Sequence, residues 1–176
     1  MKKILSSPLF ISGLLVRLAL IVGMAPLAVS IWFEPFLDVT TSLLTLDPWT
    51  TWIASAGTPV AFPYGYAMWF IFLPIILLGK LINLPLQYAY SLTLLAVDFL
   101  LLLTLDRLVP SRHRLLLLAY WLSPIVIVTS YALGFNDLIP ALFLVLSILY
   151  VSQIRFNFAG ALLALAISAK LSMVLA

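Results

Sequence analysis

Six runs of almost uninterrupted apolar residues, at 9–33, 66–83, 86–105, 115–133, 138–154 and 158–174, leave this chain little choice of fold. A helix rises about 1.5 Å per residue, so about 20 apolar residues cross the ~30 Å hydrocarbon core of a bilayer. The pattern therefore predicts an all-α fold: a polytopic transmembrane helical bundle of about six membrane segments. Composition agrees, because 65% of the residues are hydrophobic and only 9% are charged, against ~25% charged in soluble domains.

The breaks between the runs carry turn signals. Asn83-Leu84-Pro85, Pro110-Ser111 and Gly134-Phe135-Asn136-Asp137 each interrupt an apolar stretch with residues that favour turns. Lys2 and Lys3 precede the first run as they would in a signal peptide. The run itself exceeds the ~7–15 residues of a signal core, so it is read as a retained first helix. At the other end the chain stops inside an apolar run. Either the last helix ends flush with the membrane, or residues 1–176 are a single transmembrane module at the front of a longer membrane enzyme.

Charge bias sets an expected orientation, since Lys and Arg collect on the cytoplasmic side. Lys2 and Lys3 place the N-terminus in the cytoplasm. Residues 34–65 contain Glu34, Asp38 and Asp47 but no Lys or Arg, which suits an extracytoplasmic loop. Beyond that loop the two rules conflict. Simple alternation puts Arg107, Arg112 and Arg114 outside, whereas the bias wants them inside, which requires one segment between 66 and 105 to be re-entrant or interfacial.

Within the loop, Asp47-Pro48 is a helix start, with a carboxylate to accept a first-turn amide and a proline that loses nothing there. Trp49, Trp52 and Ile53 then share one face of a short helix ending near Gly57, which is expected to lie along the membrane surface. Pro59, Pro63 and Gly65 shape the turn into the second segment. Asp47 reads as a helix cap and Asp38 as a solvated acid. Either is also a candidate general base, although a carboxylate already accepting amide bonds is held charged and is the weaker base.

Inside the membrane runs, Arg17, Asp98 and Lys170 are the costly residues, and such groups are paired or functional. Asp98 is expected to pair with Arg17 or Lys170. Asn136 and Asp137 read either as a helix start or as donors and acceptors for sugar hydroxyls. His113 belongs to a basic interfacial cluster, and without a second His it makes no metal site. With no cysteine and one histidine, and with no phosphate loop or nucleophile elbow, triad hydrolases and zinc proteases are excluded. Nine scattered Lys and Arg suit membrane flanks and make no nucleic-acid patch.

Arg17-Leu-Ala-Leu, then Asp38 and Asp47-Pro48-Trp49, then Gly57 and Phe62-Pro63-Tyr64-Gly65 follow one another in an order that resembles the front end of the C-type integral-membrane glycosyltransferases. Trp121-Leu-Ser-Pro124, Gly134-Phe-Asn-Asp137 and Gly160 with Lys170 ten residues on continue the likeness, which runs from about residue 14 to 174. The resemblance implies transfer of a sugar, in a mannosyltransferase-like reaction, from a polyprenyl-phosphate donor to an acceptor outside the cytoplasm. It implies Asp47 or Asp38 as base, with Trp49, Trp52, Phe62 and Tyr64 against sugar and lipid. Arg17, Asn136, Asp137 and Lys170 would hold the donor, with cationic groups or a divalent cation on the departing phosphate. The family's Asp-x-Asp pair is not present, since Asp38 and Asp47 stand nine residues apart. A transporter or lipid flippase, with Arg17, Asp98, Asp137 and Lys170 lining a polar path, is the alternative.

Overall fold

The computed structural model describes residues 2–43 and 45–175, and every regular element among them is helical. A short α1 (Lys2–Leu5) leads into α2 (Pro8–Gly23), which ends before Pro26. A π-helical turn, Val29–Phe33, then continues as α3 (Glu34–Ser42). After α4 (Pro48–Ala54) and α5 (Tyr66–Leu81), the left-handed backbone of Asn83 (φ 56°) turns the chain into α6 (Leu86–Leu108). α7 (His113–Trp121) and α8 (Pro124–Ala132) meet at a 45° bend. α9 (Leu138–Ser152) and α10 (Phe156–Ala169) form a helical hairpin, and a 3₁₀ turn, Leu171–Leu175, follows it.

Three sequence expectations change. The first run is two helices, because Pro26 lacks the amide that a continuing helix needs there; residues 34–42 are consequently helical rather than loop. The fourth run is broken at Ser123-Pro124 for the same reason. The six-span arrangement is also not reached by helix length. Among the described residues only α6, at 23 residues, is long and apolar enough to cross a membrane, and α7 with α8 makes a second if the bent pair counts as one span. α2, α5, α9 and α10 are apolar but shorter, at 10–17 residues.

The packing separates two ends. Ser7, Pro8 and Leu9 share a cavity with His113, Arg114 and Leu117, and His113 Nδ1 pairs with Asp106 at 2.5 Å. The start of α2, the end of α6 and the start of α7 therefore lie together, bringing Arg107, Arg112 and Arg114 beside the helix that carries Lys2 and Lys3. Arg155 occupies the α9–α10 turn, away from Asp137 and Lys170. The opposite end gathers Glu34, Asp38, Asp47 and Asp137. Tyr90, in the second turn of α6, is stacked between Phe33 (5.6 Å) and Phe72 (4.6 Å), and its hydroxyl donates to Gly134 O at 2.8 Å. Phe36 stacks on Phe62 at 4.4 Å.

Both ends of α5 meet this second end. Gly65 abuts the last turn of α10, where a Cβ would come within 2.0 Å of Ser168 O, and Lys80 pairs with Asp38 at 2.8 Å. Helix α5 thus lies across the acidic end with α3 and α4. It does not run the length of α6.

Between the two ends a polar bolt joins α2, α6, α7 and α8. Arg17 Nε donates to Asp98 Oδ2 at 2.7 Å, and both side chains have no exposure. Asp98 also accepts from Tyr120 (2.5 Å) and Tyr131 (2.8 Å), while Arg17 Nη1 donates to Trp121 O at 2.6 Å. The helix break after Trp121 frees that carbonyl for the guanidinium. Arg17 also lies 3.7 Å over the Trp121 ring, and at Gly13 a Cβ would come within 2.5 Å of the same ring. Glycine is what allows α2 to come this close.

Candidate functional site

The acidic end holds two polar groupings. The first is built by α3 and α5: Lys80 Nζ pairs with the Asp38 carboxylate and also donates to Asp38 O (2.9 Å) and Ser42 Oγ (2.7 Å). Asp38, Ser42, Lys80, Asn83 and Leu86 line a cavity of about 400 Å³. Asp38 keeps more than half its side chain exposed. Glu34, one helical turn before Asp38, has its pKa raised, first by partial burial and then by the Asp38 charge.

The second grouping joins the 62–65 turn to the α8–α9 turn and the end of α10. Lys170 pairs with Asp137, both partly exposed. Asn136 beside them is 1% exposed, with its amide against the Tyr64 and Tyr90 hydroxyls. The Tyr64 hydroxyl is within reach of all three: burial pushes its pKa up, Lys170 and Asn136 draw it down, and Asp137 raises it. Gly65 fixes this arrangement by its contact with Ser168, two residues before Lys170.

Asp47 keeps the cap that its sequence reading gave it, and several other expected site residues sit differently. Asp47 caps α4, accepting from Thr50 N–H at 3.1 Å, and the Thr50 contacts hold its pKa below the ordinary value. Trp49 and Trp52 turn inward. The Trp49 indole donates to Phe62 O (3.0 Å) and the Trp52 indole to Thr58 O (2.8 Å), and both rings pack on Phe36. Only Ile53 of that face stays exposed. Phe62 is fully enclosed. Lys170 ends α10 in an extended conformation, paired with Asp137 and not with Asp98. Arg17 is sealed against Asp98, away from both groupings.

Lys80 is the residue that sequence reading missed. It is the one charged residue between Asp47 and Asp98, and in a run of otherwise apolar residues that isolation was a usable signal. Among the described residues no three His, Asp or Glu side chains gather as metal ligands. The chain matches no known family model, no curated protein and no solved structure.

Proposed function

We propose that this chain is the membrane-embedded part of an enzyme that moves a sugar from a polyprenyl-phosphate donor to an acceptor outside the cytoplasm. In this reading α2, α6, α7–α8, α9 and α10 cross the bilayer, the shorter ones by local thinning and flanking residues. Helices α3, α4 and α5 cap the outer side. The bias of basic residues supports it: Lys2, Lys3, Arg107, Arg112, Arg114 and Arg155 fall on one side, as cytoplasmic flanks do, and only Lys80 and Lys170, each paired with an acid, fall on the other. Glu34, Asp38, Asp47 and Asp137 fall on the other. The re-entrant segment that the charge count called for is α5.

The observation that carries the reading is the Asp38–Lys80 couple in its cavity. It sets an acceptor for a proton beside a cation for a phosphate at the acidic end. The chemistry is a displacement at the anomeric carbon. The acceptor oxygen forms the new bond as its proton passes to Asp38, and the bond from the anomeric carbon to the phosphate oxygen breaks. The phosphate leaves with that electron pair and meets Lys80, whose departure from the ion pair frees the carboxylate. Asp47 is the weaker candidate, because its carboxylate is already committed to the α4 amides.

The test is transfer of labelled sugar from a panel of polyprenyl-phosphate sugars, in membranes expressing the full reading frame that carries this chain. Asp38→Asn is expected to lower transfer by about 10²–10⁴-fold, the range for a lost general base, with Asp47→Asn far milder. No transfer above empty membranes from any donor would sink the enzyme reading and turn attention to flux assays.

A further inference from the structure

We propose that the cavity between the start of α2 and the start of α7 holds the phosphate of an anionic phospholipid from the cytoplasmic leaflet, with its acyl chains lying along the two helices. The site is independent of sugar transfer and needs only that the chain lies in a bilayer.

Ser7, Pro8, Leu9, His113, Arg114 and Leu117 line this cavity, whose volume is about 400 Å³. Leu117 is buried in one packed cluster with Ile4 and Leu116. Burial of Ile4 folds α1 onto this end of the molecule. Lys2 and Lys3 of α1 therefore gather with Arg107, Arg112 and Arg114. Asp106 is the only acid at this end among the described residues. Its carboxylate is mostly buried and is tied to His113 Nδ1 at 2.5 Å. That pairing leaves Nε2 as the His113 nitrogen that can meet a ligand, with the Arg114 guanidinium supplied by the next residue. Five cations against one committed acid complement a phosphate diester, and basic pockets between membrane helices on the cytoplasmic side suit anionic head groups.

Charge alone would fit a soluble anion equally well, and the flanks of the cavity select a lipid. On α2, Pro8 shares a helical face with Ile11 and Leu15, three and seven residues on, and both are exposed. On α7, Leu118 lies one turn beyond Arg114 and is exposed too. Each helix thus leaves the cationic cavity carrying exposed apolar side chains. A phospholipid presents phosphate and hydrocarbon in that same order, whereas a soluble phosphate makes no use of the flanks.

The experiment uses the full-length protein in a non-ionic detergent, titrated with dioleoyl phosphatidylglycerol or dioleoyl phosphatidylcholine. Native mass spectrometry counts the bound lipid, and thermal unfolding reads its effect on stability. Wild type is expected to fill one saturable site with phosphatidylglycerol and to melt higher with it, while phosphatidylcholine binds far more weakly. Arg114→Gln, at an exposed position, should fold normally and bind phosphatidylglycerol about fivefold more weakly, the share of one cation near a lipid surface. Leu118→Ala should weaken binding several-fold with every cation in place, because apolar contact is lost. Arg155→Gln removes the same charge from the α9–α10 turn and should bind as wild type does.

Equal loss in Arg155→Gln would reduce the effect to a general charge bias and overturn the proposal. So would equal binding of phosphatidylcholine, or the absence of a saturable site. Glycerol 3-phosphate raising the melting temperature as far as the lipid does would mark a soluble-anion site and overturn the lipid assignment. None of these results depends on sugar transfer, so the two proposals fail separately.

Discussion

Arg17–Asp98 and Lys170–Asp137 are both Lys or Arg ion pairs in an apolar chain, yet they are built for opposite tasks. The first has no exposure and is closed in by two tyrosine hydroxyls, a backbone carbonyl and an indole face. The second is 32% and 55% exposed. A charge sealed among fixed groups is scaffolding. A charge left half in solvent can exchange its partner for a ligand.

The contrast breaks most visibly at Asp98. Removing one partner of a buried pair leaves the other charge uncompensated, so Asp98→Ala should cost about 3–5 kcal/mol. Thermal unfolding in detergent and loss of folded yield would register it. Replacing both, as Arg17→Leu with Asp98→Leu, should recover part of that loss. Gly13→Ala tests the same bolt by sterics: the Trp121 ring must shift, and overpacking of this kind costs about 1–3 kcal/mol. The outer pair should behave differently. Lys170→Met should change stability by no more than about 1 kcal/mol, while sugar binding or transfer falls clearly, so that the two assays diverge.

Asp47 gives the smallest effect. Its folded pKa lies below 3.8, so its capping contribution is present above that value and is lost as pH falls through the lowered one. Asp47→Ala should therefore melt slightly earlier than wild type at pH 7, and the difference should vanish on acidification below the lowered pKa.

The helical class, the turn positions, the Asp47 cap and a cationic partner for Asp98 were legible in the sequence, because each depends on local rules or on the high cost of an unpaired charge; that the partner is Arg17 and not Lys170 was left open. The course of α5 was not. A sixteen-residue helix with a single charge, Lys80, looks the same whether it crosses a membrane or lies across a bundle, and only the conflict between alternation and charge bias hinted at the second. The inward turn of Trp49 and Trp52 was hidden for a related reason. Helical periodicity shows that they share a face, but the aromatic partner, Phe36, comes from the helix that sequence reading had taken for loop. The Asp38–Lys80 couple needed both α3 and the true course of α5 to be known. Asn136 was visible as polar punctuation, and its burial against Tyr64 and Tyr90 only emerged with its surroundings.

The account turns on which side each end of α6 faces, and the absence of cysteine from the chain makes this directly measurable by single-cysteine labelling. Ile82→Cys, in the exposed turn between α5 and α6, and Ser111→Cys, between α6 and α7, would be probed on intact cells with a membrane-impermeant maleimide. The account predicts that Ile82→Cys is labelled from outside and Ser111→Cys only after permeabilisation. The reverse result would make α5 a true membrane crossing, place the arginine cluster outside, and contradict the outer cap on which the proposed site is built.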